Sequence, residues 1–150
     1  IKNGVDAIMI FDTWGGLLSG DNYEKFSLNY IQKIISSTYR EGVPVIYYSR
    51  SKSNFDKLKN LDIDCIGISS ENNLGDMYKF FDEKFAIQGN LNTDILKEDK
   101  DTIKKGVIKT LETFPFETGH VFNLGTGITP DIHPDKVSYL VDQVRELSVK

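Results

Sequence analysis

The sequence predicts an α/β fold built on parallel strands. Short, nearly continuous apolar runs alternate with segments whose apolar residues recur every three or four positions, the pattern of helices packed on a buried sheet. Successive strand–helix units require right-handed crossovers between parallel strands, so both a doubly wound sheet and part of a (β/α)8 barrel satisfy the pattern. The predicted strands are Ala7 to Phe11, Val43 to Tyr48, Asp64 to Ile68, Phe85 to Gln88 and His120 to Leu124.

The predicted helices fill the intervals between these runs. The longest covers Asp21 to Arg40, where Asp21 and Glu24 have the spacing of a capping box. The last helix begins at Pro134, with His133 as its cap. Three further helices are predicted at 53–60, 74–84 and 101–114. The apolar stripe of the longest helix is predicted to comprise Tyr23, Phe26, Tyr30, Ile31, Ile34 and Ile35.

Composition limits the classes of function. With 150 residues, of which 39% are hydrophobic, the chain can bury a core of its own. The 18 basic and 22 acidic residues are interspersed and leave a net charge of -4, without the basic stripe that nucleic-acid binding requires. The sequence contains no apolar run long enough for a membrane span and no signal-peptide pattern. We therefore predict a cytoplasmic protein without nucleic-acid or membrane partners.

The single cysteine and the amino-terminal residues carry two further expectations. Cys65 lies in an apolar run and has no second thiol to pair with, so it is predicted to be a buried structural thiol in a reducing compartment. The chain opens without methionine, and Asn3-Gly4 has the pattern of a helix C-cap directly before a strand. This pattern predicts that residues 1–150 begin inside a larger fold.

Polar segments that follow the predicted strands are the candidate ligand-binding loops. Both architectures bind ligands at the carboxyl ends of their strands. Glycines concentrate in or beside these loops, where the backbone approaches a neighbour closely or adopts positive φ. The five loops have the sequences DTWGGLLSG (12–20), SRSKS (49–53), SSENN (69–73), GNLNTD (89–94) and GTGITPDIH (125–133).

Several kinds of site are disfavoured by these loops. Gly125-Thr126-Gly127 lacks the third glycine of a dinucleotide fingerprint and follows the last strand rather than the first. A metal site is disfavoured because His120, His133 and the single cysteine have no recognised ligand spacing. A hydrolase site is disfavoured because the chain contains no nucleophile elbow. His120 is predicted to be a packed or partly solvated histidine at the amino end of the last strand. Hydroxyls, amides and the cations Arg50 and Lys52 remain, a set suited to an anionic ligand.

Several stretches together resemble, in order and spacing, the carboxyl-terminal half of the uroporphyrinogen decarboxylase family. The resemblance covers essentially the whole chain, and FDTWGG and FNLGxGxxPD, where x is any residue, are fairly specific motifs of the family. The stretches are DAIMIFDTWGGLLS, YEKFSLNYIQKI, VPVIYYSR, AIQGNL and GHVFNLGTGITPDIHPDKVSYLVDQV.

The resemblance implies a partial TIM (β/α)8 barrel in which the five runs are strands four to eight and the first part of the domain lies outside residues 1–150. It implies a homodimer that acts without metal or organic cofactor and converts the acetate side chains of uroporphyrinogen III to methyl groups, giving coproporphyrinogen III in haem biosynthesis. The family's arginine-rich loop and the aspartate that binds the pyrrole nitrogens belong to the missing part. No catalytic residue is therefore assigned to this chain, and the isolated chain is predicted to be inactive.

The resemblance implies four substrate-binding residues. Thr13 stands where the family has a hydroxyl that hydrogen-bonds the substrate, Phe11 stands at a cavity-lining aromatic position, and Arg50 stands where relatives have a basic residue. Thr126 stands where the family usually has a histidine that reaches the substrate. Trp14 is expected to pack against the top of the barrel. The alternative for Thr13 is a hydroxyl that stabilises its own turn, for Phe11 a plain core position, and for Arg50 and Lys52 a solvated loop.

Two other stretches depart from the family pattern. GISSE stands where relatives often have GLDWT, and GNLNT stands where they often have GNLDP. With Thr126, these departures leave open a divergent decarboxylase, a relative with a different substrate, or a degenerate barrel that only binds or assembles. Corrinoid-dependent methyltransferases of the same superfamily are a further alternative, although they hold zinc through histidine and cysteines and this chain has one cysteine.

Overall fold

Five parallel strands form one sheet whose spatial order follows the order of the chain. The computed structural model describes residues 1–37, 39–50, 54–116 and 119–148. Every pair of neighbouring strands in the sheet is parallel, from β1–β2 through β4–β5. All five strand predictions are confirmed, with shifts of up to three residues at their ends. The strands are β1 (Ile8–Asp12), β2 (Val45–Ser49), β3 (Cys65–Gly67), β4 (Ala86–Leu91) and β5 (His120–Leu124).

This strand order distinguishes between the two architectures that the sequence leaves open. A doubly wound sheet reverses its strand order at a switch point, whereas a barrel adds each new strand beside the last. The order β1-β2-β3-β4-β5 contains no reversal. The described part of the chain is therefore an α/β fold of the partial TIM-barrel type.

Helices follow the strands and cover one face of the sheet. The described helices are α1 (Gly20–Tyr23), which continues through a π-helical segment (Glu24–Leu28) into α2 (Asn29–Ser37), then α3 (Phe55–Leu58), α4 (Leu74–Phe80), α5 (Lys100–Glu112) and α6 (Pro134–Leu147). Two short 3₁₀ turns, Gly15–Leu17 and Thr93–Lys97, follow β1 and β4. Of the predicted helix at 53–60, residue 53 lies outside the described residues. No helix among the described residues is both long and apolar enough to span a membrane.

The start of the longest helix differs from the prediction. The helix begins at Gly20, so Asp21 already lies in the first turn and cannot cap it, and the capping box with Glu24 is not formed. The Glu24 carboxylate instead accepts a hydrogen bond from Lys57 at 2.8 Å. The apolar stripe also divides between two faces: Tyr23, Ile31 and Ile35 are buried, whereas Phe26, Tyr30 and Ile34 are exposed.

Side-chain caps begin the later helices, as their sequences require. Asn73 accepts from the amide of Asp76 before α4, and Asp99 accepts from the amide of Thr102 before α5. The predicted cap at His133 is confirmed, because its Nδ1 accepts from the amide of Asp135 at 3.2 Å. These caps satisfy backbone donors that have no partner within the first helical turn.

Two hydrophobic clusters hold the helices on the sheet. The larger lies under α1 to α4 and includes the central residues Tyr47, Ile66 and Ile87 of three neighbouring strands. The smaller lies between the end of β4 and helices α5 and α6, around Leu91, Ile103 and Leu140. Gly106 of α5 faces Leu91 and the side chain of Ile95, where a β-carbon would come within 3.0 Å of a neighbour. The helix thus packs close to the sheet at this glycine.

The sheet is curved, and the face opposite the helices is concave. The Tyr48 hydroxyl on β2 donates to the backbone carbonyl of Gly125, just after β5, at 3.1 Å. In a flat sheet these strands would be about 14 Å apart, three intervals of about 4.8 Å. The amide of Gln88 on β4 likewise reaches the sulfur of Met9 on β1 at 3.7 Å. Contacts between strands that are not neighbours require the curvature of a barrel wall.

Cys65 and His120 lie in the packed interior or beside it, as predicted. Cys65 is buried, and this burial raises the pKa of its thiol to about 12, so the thiolate is disfavoured. His120 opens β5, stacks on the ring of Phe114 with 5.1 Å between centroids, and bonds through Nε2 to the carbonyl of Gly89 at 2.7 Å. Burial lowers the pKa of His120, although the hydrogen bond to Gly89 opposes this effect.

We predict that His120 makes stability depend on pH near neutrality. Because its pKa is lower in the folded chain than the unfolded value of about 6.5, its contribution is complete above that pH and is lost as the pH falls through the folded pKa. His120→Gln should flatten the pH dependence of the free energy of unfolding between pH 5 and 7, a slope that reaches at most about 1.4 kcal/mol per pH unit for one proton. Denaturant unfolding across this range measures it, with His133→Asn as the exposed control. An unchanged slope in His120→Gln would contradict the prediction.

Candidate functional site

The loops at the carboxyl edge of the sheet enclose two adjoining cavities of about 500 and 470 Å³. Thr13, Arg50 and Thr126 line both cavities, and Phe11 lines the second. The structure therefore brings together all four residues that the resemblance assigns to substrate binding, although they come from β1, β2 and β5. Lys52, the other predicted cation, lies outside the described residues. We call the lining of the two cavities the rim.

The carboxylate of Asp12 holds the loop that follows β1. It accepts hydrogen bonds from the amide of Gly15 at 2.9 Å, the hydroxyl of Ser27 at 2.7 Å and the hydroxyl of Tyr47 at 2.8 Å. A β-carbon at Gly15 would lie 2.1 Å from this carboxylate, so the turn closes only around a glycine. The carboxylate thus ties the turn that carries Thr13 to both β2 and the helix layer.

Two buried tyrosines extend this network. The Tyr47 and Tyr23 hydroxyls are 2.9 Å apart, and both side chains are fully buried. Burial raises the pKa of both phenols, and for Tyr47 the hydrogen bond with Tyr23 and the nearby Asp12 carboxylate add to the effect. Both phenols therefore stay neutral, and their protons remain available for the hydrogen bonds that support Asp12.

The turn therefore owes its shape to Asp12 rather than to Thr13. Among the described residues, the Thr13 hydroxyl has no hydrogen-bond partner, and this side chain lines both cavities. This arrangement does not support the alternative in which Thr13 stabilises its own turn. Trp14 is 73% exposed in the described chain and lines the first cavity.

A second backbone contact joins the loops after β3 and β5. A β-carbon at Gly125 would lie 2.4 Å from the amide nitrogen of Ser70, so this close approach requires glycine. Gly127 faces open space, where a β-carbon would meet nothing within 4 Å. Of the two glycines that flank Thr126, only the first is therefore constrained by packing.

Thr126 is paired with another threonine. Its hydroxyl lies 2.9 Å from the hydroxyl of Thr93, which in turn donates to the backbone carbonyl of Thr126 at 2.8 Å. Thr93 is buried and follows β4. Two of the positions at which this chain departs from the family pattern, one in GNLNT and one in NLGTG, are thus in direct contact.

The concave face supplies the apolar wall of the second cavity. Phe11 and Tyr48 occupy paired positions of β1 and β2, and their ring centroids are 6.0 Å apart. Gly67 leaves room for Tyr48, since a β-carbon there would come within 3.0 Å of the tyrosine ring. Phe11 is 66% exposed in the described chain and lines the second cavity.

The rim contains few charged side chains, and they carry both signs. Arg50 is the one cation among the described lining residues, and Glu71 lines the first cavity with Ser69 and Ser70. The positive charge of Arg50 partly offsets the burial that raises the pKa of Tyr48. Within the described part of the chain, no group of three or more histidine, cysteine or acidic residues is placed to hold a metal ion.

The sequence patterns predict where the loops lie better than they predict which side chains hold the loops together. They do not indicate the roles of Asp12 and Thr93, because these roles depend on partners 15 to 35 positions away along the chain. The only signal was position: both residues lie at or just after the end of a strand.

Comparison with known proteins decides the family. The family model described as uroporphyrinogen decarboxylase (URO-D) matches residues 1–147. The chain belongs to the uroporphyrinogen decarboxylase family. The resemblance found in the sequence motifs is thereby confirmed.

Comparison with bacterial members of the uroporphyrinogen decarboxylase family shows what fraction of their length this chain covers. The uroporphyrinogen decarboxylase of Legionella pneumophila (strain Corby) is 38% identical over 151 residues, which cover 99% of this chain and 43% of the relative. That of Ruthia magnifica is 39% identical over 153 residues, covering 99% of this chain and 44% of the relative. The chain thus spans less than half the length of these curated relatives.

A solved structure supports the fold. A methyltransferase from Methanosarcina mazei is similar with a TM-score of 0.78 over 97% of this chain and 43% of that protein. At 20% sequence identity, this likeness concerns the fold alone.

We predict that Asp12→Asn destabilises the fold through the β1 loop. An amide keeps one acceptor oxygen but turns its NH₂ group toward hydrogen-bond donors, and hydrogen bonds to a charged group contribute about 1.5–3 kcal/mol. A loss of this size in the free energy of unfolding is expected, measured by denaturant titration. Asp142→Asn on the exposed face of α6 is the control. Equal, small losses in both variants would contradict the anchoring role of Asp12.

We predict that the two glycines around Thr126 differ in their tolerance of a side chain. Gly125→Ala forces the backbone away from Ser70 and should cost about 1–3 kcal/mol, the usual range for overpacking. Gly127→Ala enters open space and should leave the free energy of unfolding within about 0.5 kcal/mol of the parent protein. Thermal or denaturant unfolding compares them. A Gly125→Ala variant as stable as Gly127→Ala would show that the approach to Ser70 is not a constraint.

Proposed function

We propose that the protein carrying this chain removes carboxyl groups from the acetate side chains of uroporphyrinogen III, giving coproporphyrinogen III. Family membership over residues 1–147 is the observation that carries this proposal. The rim supports it, because hydroxyls, one cation and exposed aromatic and aliphatic side chains surround cavities at the edge where such folds bind ligands. A porphyrinogen has apolar ring faces and an anionic periphery, and this lining suits both.

The proposal places the chain as the carboxyl-terminal part of one (β/α)8 barrel domain. β1 to β5 would be strands four to eight of the barrel, and a preceding segment would supply strands one to three. The open edge of the sheet supports this placement: among the described residues β1 pairs with β2 alone, and Phe11, Trp14 and Leu17 beside it are mostly exposed. The complete enzyme is proposed to be a cytoplasmic homodimer that needs no cofactor.

Arg50 and Thr13 are proposed to bind the carboxylates of the substrate. A guanidinium binds a carboxylate through charge-assisted hydrogen bonds, each contributing about 1.5–3 kcal/mol. The Thr13 hydroxyl can donate a further hydrogen bond to a carboxylate, since Asp12 already satisfies the turn beneath it. Because the described rim contains one cation and the substrate has many carboxylates, further cations are expected from the preceding segment.

Phe11 and Tyr48 are proposed to face the macrocycle. Their rings are in contact, and both line the second cavity beside Met9 and Ile68. Apolar contact with the ring face would hold the substrate without restricting which acetate group reacts. The successive removal of several carboxyl groups requires such tolerance, because the same macrocycle must bind in more than one orientation.

The chemistry assigns this chain a binding role. Protonation of a pyrrole ring creates a cation, the C–C bond to the carboxylate breaks, CO₂ leaves, and the electron pair flows into that cation. A proton then adds to the exocyclic carbon to complete the methyl group, and the ring releases the proton that it took up first, which restores the neutral pyrrole. The protein must stabilise the cation with a fixed negative charge. In our proposal that charge comes from the preceding segment, since the Asp12 carboxylate is occupied by its own hydrogen bonds.

A degenerate barrel that binds tetrapyrroles without decarboxylating them is the second candidate. Thr126 favours it, because a threonine hydroxyl replaces the charge-assisted contact of a histidine with a neutral bond of about 0.5–1.5 kcal/mol. The methyltransferase alternative rests on the fold alone, and the single Cys65 of this chain has a raised pKa that disfavours its thiolate form.

The decisive assay supplies uroporphyrinogen to the complete protein and measures coproporphyrinogen. We expect product from the parent protein, a kcat/KM lowered by roughly 10- to 150-fold in Thr13→Val, the loss of one hydrogen bond to a carboxylate, and retained or raised activity in Thr126→His. Thr113→Val, whose hydroxyl donates to a carbonyl at the end of α5, is the control. Absence of product from both the parent and Thr126→His would overturn the decarboxylase proposal, and porphyrin binding without product would favour the degenerate barrel.

A further inference from the structure

The hydrogen bonds between Thr93 and Thr126 determine which of the two hydroxyls donates to the other. The Thr93 hydroxyl lies 2.8 Å from the backbone carbonyl of Thr126 and 2.9 Å from the Thr126 hydroxyl. A carbonyl oxygen can only accept, so Thr93 must use its single proton in the first bond. The second bond then has the Thr126 hydroxyl as its donor and Thr93 as its acceptor, since sharing the single Thr93 proton between both contacts would weaken each of them.

This arrangement leaves Thr126 without a proton to offer to a ligand. A hydroxyl has one donor and two acceptor lone pairs, and Thr126 directs the donor toward Thr93. Thr126 lines both cavities, so what remains for a ligand is its lone pairs. A ligand carboxylate presents lone pairs as well and would be repelled, whereas an N–H or O–H group would be accepted.

Ion pairs also connect the two loops that contain Thr93 and Thr126. Lys97 lies 3.1 Å from the carboxylate of Asp94 in its own 3₁₀ turn and 3.2 Å from that of Asp131 in the loop after β5. Asn92 caps the same turn by accepting from the amide of Asp94. Thr93 itself is only 5% exposed, so its hydroxyl has little access to competing water. These contacts hold Thr93 in place to orient Thr126.

We propose that Thr93 is a positioning residue that makes Thr126 a hydrogen-bond acceptor at the rim, selecting for a ligand group with an N–H or O–H donor. This inference deepens the proposed function and rests on it for the nature of the ligand. On a porphyrinogen, the matching groups are a pyrrole N–H or a protonated carboxyl group rather than a carboxylate. Thr126 would thus recognise a different chemical group from the one that Arg50 binds.

A ligand comparison tests the selectivity in the complete protein. Uroporphyrin presents carboxylates, and its octaamide presents N–H donors at the same positions, so the ratio of the two dissociation constants cancels contacts that the variants leave unchanged. Thr93→Val should free the Thr126 proton and shift this ratio toward uroporphyrin by roughly 10- to 150-fold, the equivalent of one hydrogen bond to a carboxylate. Thr93→Ser should keep the parent ratio, and Thr113→Val is the matched control away from the rim. An unchanged ratio in Thr93→Val would overturn the selectivity.

Neutron diffraction of the deuterated protein tests the proton positions without any ligand. We expect the Thr93 deuterium between its oxygen and the carbonyl of Thr126, and the Thr126 deuterium directed at Thr93. A Thr126 deuterium directed into the cavity would overturn the inference. If neither porphyrin binds any variant, the proposed function fails, but the neutron result still decides the orientation of the pair.

Discussion

The curvature of the sheet is the constraint on which the rest of the structure depends. Parallel strands place their carboxyl ends at one edge, but only curvature lets loops from the first and fifth strands share a cavity. The hydrogen bond from Tyr48 to the carbonyl of Gly125 and the approach of Gly125 to Ser70 show this convergence directly. The rim, with Thr13 on one side and Thr126 on the other, follows from it.

Once the loops converge, a few polar contacts determine what each side chain can offer a ligand. The Asp12 carboxylate uses its acceptors within the fold and leaves Thr13 free to face the cavity. Thr93 has the converse effect on Thr126, because it accepts the hydrogen bond that this hydroxyl donates. Two threonines at the same rim therefore have different chemical capacities, which their residue type alone does not reveal.

Much of the fold could be predicted from the sequence, because its signals are local. Buried strands are near-continuous apolar runs, and caps such as His133 act within one helical turn. The start of the first helix was predicted less well, since Ser19 and Gly20 begin it before Asp21 and a π-helical segment interrupts it. The pairing of Thr93 with Thr126 was beyond prediction, as no local pattern links residues 33 positions apart. The loops were therefore located correctly, while the residues that organise them were not.

The central claim is that these loops form one wall of a single tetrapyrrole site. A crystal structure of the complete protein with a bound porphyrin tests it most directly. Our account predicts a macrocycle in contact with Phe11 and Tyr48, an anionic side chain of the ligand on Arg50, and Thr13 and Thr126 both within hydrogen-bonding distance of the ligand. A porphyrin bound elsewhere, or one that contacts Thr13 while Thr126 lies far from it, would contradict the account.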